Sequence, residues 1–146
     1  MKDIYNLERF VNAQENSYQI ALGEIQNGQK RSHWMWFIFP QIDGLGMSPM
    51  SKEYSIKNQQ EAQNYLNHNI LGKRLIEITS ALMKVEQKSA RSIFGYPDNL
   101  KLQSSMTLFK KIQPNNKLFS DVLVKYFNGN VCEHTEKYFT RCGLSA

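Results

Sequence analysis

The chain has 146 residues, enough for one domain with a real hydrophobic core and no need of disulfide or metal staples. Hydrophobic residues make up 41% of it and aromatic residues 12%, which excludes a disordered chain. The formal net charge is +5, spread as Lys30-Arg31, Lys73-Arg74, Lys84, Lys88, Arg91, Lys101 and Lys110-Lys111. That distribution suits an anionic small ligand or weak nucleic-acid affinity and is too diffuse for a duplex-binding footprint.

The longest apolar run is the six residues from Trp34 to Phe39, far short of the roughly 20 that span a bilayer, so no membrane partner is expected. Met1-Lys2-Asp3-Ile4-Tyr5-Asn6 lacks the apolar core of a signal peptide, and the default compartment is the cytoplasm. Cys132 and Cys142 are then read as free thiols. With no CxxC pair and no HExxH motif, no metal is expected. Neither GxxxxGK[ST] nor GxGxxG occurs, which argues against a kinase or a Rossmann dehydrogenase and implies no cofactor.

In chain order, Leu7, Phe10, Val11 and Gln14 fall at helical spacing, and Tyr18, Ala21, Leu22 and Ile25 repeat the pattern behind a Ser17 or Asn16 cap. These are two helices or one bent helix. Gly28 sits where a helix commonly ends on a left-handed residue. Trp34 to Phe39 is apolar enough for a buried strand or a short buried helix; with Ser32 as a cap and Pro40 as a stop, we read it as a helix. Ile42 to Ile56 reads as a loop holding Gly44, Gly46 and Pro49 with the hydroxyls of Ser48, Ser51 and Tyr54. It is weighed evenly as a functional lid or a plain turn. Asn58 and Glu61 form a capping-box pattern ahead of Ala62, Tyr65 and Leu66. Leu71, Leu75, Ile78, Leu82 and Val85 then make a long stripe, with Lys73, Arg74, Glu77 and Lys84 facing outward.

Tyr96-Pro97-Asp98-Asn99 signals a turn, with Asp98 as a helix cap. Leu102, Met106, Phe109 and Ile112 form the next stripe, in which Ser104, Ser105 and Thr107 are unusual because hydroxyls compete for backbone partners. Pro114-Asn115-Asn116 breaks it. Phe119, Val122, Leu123, Tyr126 and Phe127 form another helix, ended by Asn128-Gly129-Asn130, and Val131, Thr135, Tyr138 and Phe139 suggest a last one. No sustained two-residue alternation, repeat or heptad series occurs, so we expect a single all-α domain of six to eight helices spanning residues 1–146.

Function is placed around Gly28 to Gln41, where two cations, a hydroxyl and an imidazole lead into the apolar run that holds both tryptophans. Polar groups carried to the edge of a core gain fixed geometry and low dielectric. His33 suits general acid–base work or a structural hydrogen bond. Lys30 and Arg31 suit phosphate or carboxylate, or a solvated link between helices. Trp36 would stack a ring. Asp98 is a carboxylate for proton transfer or simply a cap, the cap being the better explained role. Ser104, Ser105 and Thr107 lack a nucleophile elbow and are better as hydrogen-bond donors to a ligand, with Lys101, Ser48 and Tyr54 completing the candidate lining. We expect Lys30–His33 and Asp98–Thr107 to meet at one cleft beneath the Gly44–Tyr54 loop. Trp36 and Met106 would be its floor, with Leu75, Ile78 and Leu82 in the core behind.

Leu7 to Gln14, Gly28 to Gln41, Gly44-Leu45-Gly46-Met47-Ser48, Leu71-Gly72-Lys73-Arg74-Leu75, Ile93-Phe94-Gly95 with Pro97-Asp98, and Lys101 to Phe109 resemble one bacterial family. It is domain-of-unknown-function family 1810, whose members often carry the label "calpastatin". The resemblance covers most of the chain and implies a helical fold, with no established activity. Members usually show Gly-x-x-Asp-x-x-Thr where this chain has Gly129 to Thr135 with Cys132 in the aspartate's place, which weighs against a catalytic role at that position. The label fits poorly, because inhibitors of that type are long, repetitive and disordered until bound.

Two functions are consistent with these residues. The first is a small cytoplasmic hydrolase of an anionic, nucleotide-like metabolite, with Lys30 and Arg31 on the phosphate, Trp36 on the ring and His33 or Asp98 handling the proton. The alternative is a non-catalytic module for a metabolite or single-stranded nucleic acid. An enzyme needs one closed pocket, whereas a nucleic-acid binder needs an open basic groove.

Overall fold

Residues 3–141 are described by the structure, a computed structural model. Ten helices follow one another: α1 (Glu8–Gln14), α2 (Tyr18–Gln26), α3 (Met35–Ile38), α4 (Pro49–Glu53), α5 (Gln59–Asn67), α6 (Leu71–Met83), α7 (Ala90–Phe94), α8 (Asp98–Ile112), α9 (Lys117–Phe127) and α10 (Glu133–Arg141). The domain is all-α, and the described residues hold ten helices rather than six to eight. The two additions, α4 and α7, are five residues each, too short to display a hydrophobic period. Their signal is local. Ser48 accepts a hydrogen bond from the Ser51 N–H and Ser89 one from the Ser92 N–H, each capping its helix. The Ile42–Ile56 segment is therefore not all loop.

The 15-residue α8 is the hub, packing against α5, α7, α9 and α10. Its Leu102, Met106, Leu108 and Phe109 are fully buried, and the Phe109 ring packs, tilted, between those of Tyr65 of α5 and Phe119 of α9. Leu75, Ile78 and Leu82 of α6 lie in the same core, as their spacing predicts. α5 and α6 meet at a tight corner, where a Cβ on Gly72 would lie 2.0 Å from the Leu66 carbonyl oxygen; only glycine fits.

Of the two readings open for the first helical stretch, the structure has two helices, α1 and α2, divided by the Glu15–Ser17 turn. Three local readings need correction. Ser32 does not cap α3, whose cap position is Trp34; its hydroxyl goes to Glu24 instead. Asp98 is the first residue of α8 rather than its cap, which is Pro97. Its carboxylate is drawn to two lysines. The capping box is half present: Asn58 accepts from the Glu61 N–H, but Glu61 accepts from Lys57 N–H instead of returning to Asn58.

Among the described residues no helix is long and apolar enough to cross a membrane, and no three His, Cys, Asp or Glu side chains gather as a metal site. Cys142 lies outside the described residues.

Candidate functional site

The stretch leading to α3 is fixed by one carboxylate. Gly28 takes a left-handed φ of +75°, which turns the chain out of α2. Glu24 then accepts from the Arg31 N–H at 2.8 Å, the Ser32 N–H at 3.0 Å, the Ser32 hydroxyl at 2.6 Å and the Trp34 indole N–H at 2.9 Å. Desolvation works to raise the Glu24 carboxyl. The Ser32 hydroxyl, the Arg31 N–H, the Trp34 indole and the Ser32 N–H together outweigh it and hold its pKa at about 2.

A carboxylate depressed in the folded state stabilises fully above its ordinary value of 4.5, and the contribution is lost as the pH falls toward about 2. Comparing urea midpoints of the wild type and Glu24→Gln from pH 6 to pH 2 should show a gap that is widest at the high end and closes in acid. A gap constant with pH would show that Glu24 acts by packing alone.

The apolar run is buried except at Trp36. Trp34, Met35, Phe37, Ile38 and Phe39 are all core residues, whereas Trp36 is half-buried. The two indoles each carry an ammonium. Lys30 Nζ lies 5.1 Å from the Trp34 ring centroid and Lys101 Nζ 5.2 Å from that of Trp36. Asp98 joins them, its Oδ2 2.9 Å from Lys30 Nζ and its Oδ1 3.1 Å from Lys101 Nζ. Lys30 and Asp98, 68 positions apart in sequence, thus share a Lys–Asp–Lys cluster that rests on tryptophan faces.

Lys101 also lines a cleft of about 570 Å³, within the range of roughly 300–1,000 Å³ that takes a small-molecule ligand. Three segments form its walls: Gln41, Leu45 and Gly46; Pro97, Leu100, Lys101, Gln103 and Ser104 of the α8 end; and Val131, Cys132 and Glu133 leading into α10. Hydrogen bonds tie the segments together. The Gln103 amide donates to the Asn130 carbonyl, Ser104 Oγ shares a bond with Thr135 Oγ1 at 3.2 Å, and the Cys132 N–H donates to Thr107 Oγ1. His134 Nε2 lies 3.3 Å from the Asp43 carbonyl oxygen, bringing α10 against the 41–46 segment. A Cβ at Gly46 would collide with the Ser51 side chain, so α4 sits close behind this wall.

Of the candidate residues, Lys101 and Ser104 line the cleft, with Asp98, Trp36 and Lys30 behind them through the ion cluster. The rest lie elsewhere. Arg31 is exposed and reaches Gln29. His33 is exposed and makes no hydrogen bond or ion pair among the described residues. Ser48 caps α4, and the Tyr54 ring packs on Phe10 and Phe37. Ser105 is fully buried with its hydroxyl unpartnered, and Met106 is core and does not reach the cleft. Thr107 holds the Cys132 backbone from below. From the Gly44–Tyr54 loop, Leu45 and Gly46 reach the lining. A groove of about 460 Å³ between α2 and α6, bounded by Leu22, Ala81 and Val85, contains none of the candidates.

Sequence reasoning missed Glu24 and most of the apolar lining. Glu24 had no signal, since a glutamate within a helix is unremarked until its partners are known. Leu100, Val131 and Cys132 stand next to turn residues, where an interrupted apolar pattern is the only trace.

The sequence model of a family described as "Protein of unknown function (DUF1810)" matches residues 4–139. The structure is similar to the crystal structure of the conserved hypothetical protein Rv1873 from Mycobacterium tuberculosis. The two share 43% sequence identity, covering 98% of this chain and 100% of that one, with a TM-score of 0.90. No curated protein matches the chain.

Proposed function

The chain belongs to the DUF1810 family of proteins of unknown function, and from its own residues we propose that the 570 Å³ cleft binds a small anionic metabolite in the cytoplasm. Lys101 supplies the charge. Its ammonium is held over Trp36 and against one oxygen of Asp98, which leaves N–H capacity for a ligand while fixing the position of the donor. A cation already ordered on a rigid helix loses little further entropy on binding. Leu45, Leu100 and Val131 offer apolar surface for a ring. The presence of Lys101, whose ammonium is ordered by Asp98 and Trp36, in the lining of a ligand-sized cleft carries the reading.

Titration calorimetry with nucleoside monophosphates and sugar phosphates tests it. Binding should weaken at least tenfold in Lys101→Ala and should fall with added salt. Absence of binding by every anion, or equal affinity in the variant, overturns the proposal.

Binding stands ahead of hydrolysis in this reading. His33, on which an acid–base step would depend, is exposed and unengaged, and Asp98 directs both carboxylate oxygens at lysines. Hydrolysis would show as turnover of one of these phosphates that His33→Ala reduces by roughly 10²–10⁴-fold. A single-strand binder is less supported, because Trp34 is buried and Trp36 lies beneath Lys101 rather than offering an open stacking face.

A further inference from the structure

We infer that the ligand of this cleft is bipolar: a ring-bearing anion that also carries an amino or similarly N–H-rich cationic group, which Glu133 recognises. The inference rests on the ligand-binding reading of the same cleft and names the chemical class that reading leaves open.

Gln103 donates its amide to the Asn130 carbonyl, and Ser104 shares its hydroxyl with Thr135. Lys101 is partly engaged by Asp98. Besides the weakly polar Cys132 thiol, two side chains are left over: the Gln41 amide and the Glu133 carboxylate make no hydrogen bond or ion pair among the described residues, yet both line the cleft. The free polar groups are thus a residual ammonium donor, an amide that both donates and accepts, and an acceptor-only carboxylate. Summed over Lys30, Asp98, Lys101 and Glu133, the charge is zero, two cations against two carboxylates.

Such a lining disfavours a polyanion. A triphosphate would gain one ordered ammonium and place several negative charges in a cleft that already holds Glu133. A single anionic group with an amine at the other end has complementary charges for both ends, while Leu45, Leu100 and Val131 cover the body between them. Like charges exclude wrong partners by repulsion while opposite charges select right ones by attraction. Glu133 is therefore the specificity-determining residue, and Lys101 the general anion anchor.

Two probes isolate the amine. Phenyl phosphate carries the ring and the anion; tyramine phosphate carries the same ring and anion with a primary amine added. By titration calorimetry the wild type should bind tyramine phosphate at least tenfold more tightly than phenyl phosphate. Glu133→Gln should abolish that difference by weakening tyramine phosphate and, with a repelling carboxylate gone, tightening phenyl phosphate, and Lys101→Ala should weaken both probes together. Glu133 is exposed, so its replacement should leave the circular dichroism melt unaltered. Equal affinity for the two probes, or a preference that survives in Glu133→Gln, overturns the bipolar class and leaves anion binding intact. Binding of neither probe overturns the anion-binding reading and this inference with it.

Discussion

Glu61→Ala should destabilise the domain by roughly 3–5 kcal/mol, the cost of leaving one member of a buried ion pair without its partner. Glu61 is fully buried, and its Oε2 accepts from Arg9 Nη2 at 2.8 Å while its Oε1 accepts from the Lys57 N–H at 2.8 Å. The side chain of Arg9, only 10% exposed, also donates to the carbonyl oxygens of Tyr5, Asn6, Glu53 and Ser55. All of its donor nitrogens are engaged. Removing Glu61 strands that guanidinium in a place where water replaces the lost carboxylate poorly. Arg9→Ala should cost as much by the opposite route, leaving the buried Glu61 without its cation and taking a donor from each of four carbonyls. The double variant should cost less than the sum of the two, since the same contact is removed once. Urea unfolding of the three variants gives the coupling. A loss below about 1 kcal/mol for Glu61→Ala would show a solvated pair instead.

This pair also governs the candidate site. Through Glu53 and Ser55, Arg9 pins the far end of the segment whose near end, Leu45 and Gly46, lines the cleft. The Ile56 N–H donates to the Gln41 carbonyl and the Asp43 N–H to the Ile56 carbonyl, closing the segment on itself. Ser55 Oγ donates to Asp43 Oδ1. With its base closed and its far end anchored, the segment is a fixed wall more than a swinging lid.

The long helices were legible because burial repeats in them. Leu71 to Leu82 exposes one face, with Lys73 and Glu77, and buries the other, so spacing alone gives both element and orientation. Leu102 to Phe109 keeps its apolar residues at helical spacing but is buried nearly all round, Ser104, Ser105 and Thr107 included, so there spacing gives the element and not the orientation. The short helices α4 and α7 are set by single serine caps, which occur as often in plain turns. The role of Asp98 was misread for a related reason. Aspartate ahead of a helix is explained by capping at no cost to the argument, and nothing in the local sequence shows Lys30 arriving from another element. Two of the cleft's walls, 41–46 and 97–104, fall in stretches the sequence marks, whereas the residues around 30 form no wall and join only through the Lys30–Asp98 ion pair. The third wall, Val131 to Glu133, was not legible. That wall depends on how α9 turns back at Asn128, whose left-handed φ of +54° sets a direction that sequence marks only as a stop.

The two tryptophans should separate cleanly by experiment, one carrying stability and the other affinity. Trp34 is 1% exposed, packs its indole against Phe39 and the edge of Phe94, and gives its N–H to Glu24. Trp34→Ala should therefore cost roughly 3–5 kcal/mol, the range for emptying a large aromatic from a packed core. Trp34→Phe should cost less, because it keeps most of the ring but removes one donor from the Glu24 carboxylate. Trp36 is half-buried beneath Lys101, so Trp36→Ala should lower stability less than Trp34→Ala does. It should instead weaken binding of nucleoside monophosphates about as much as Lys101→Ala, because an ammonium without its aromatic rest is less ordered. Thermal melts and calorimetry on the same four variants read both quantities. If Trp36→Ala leaves affinity unchanged while Lys101→Ala lowers it, the indole is packing alone and Asp98 by itself positions the lysine.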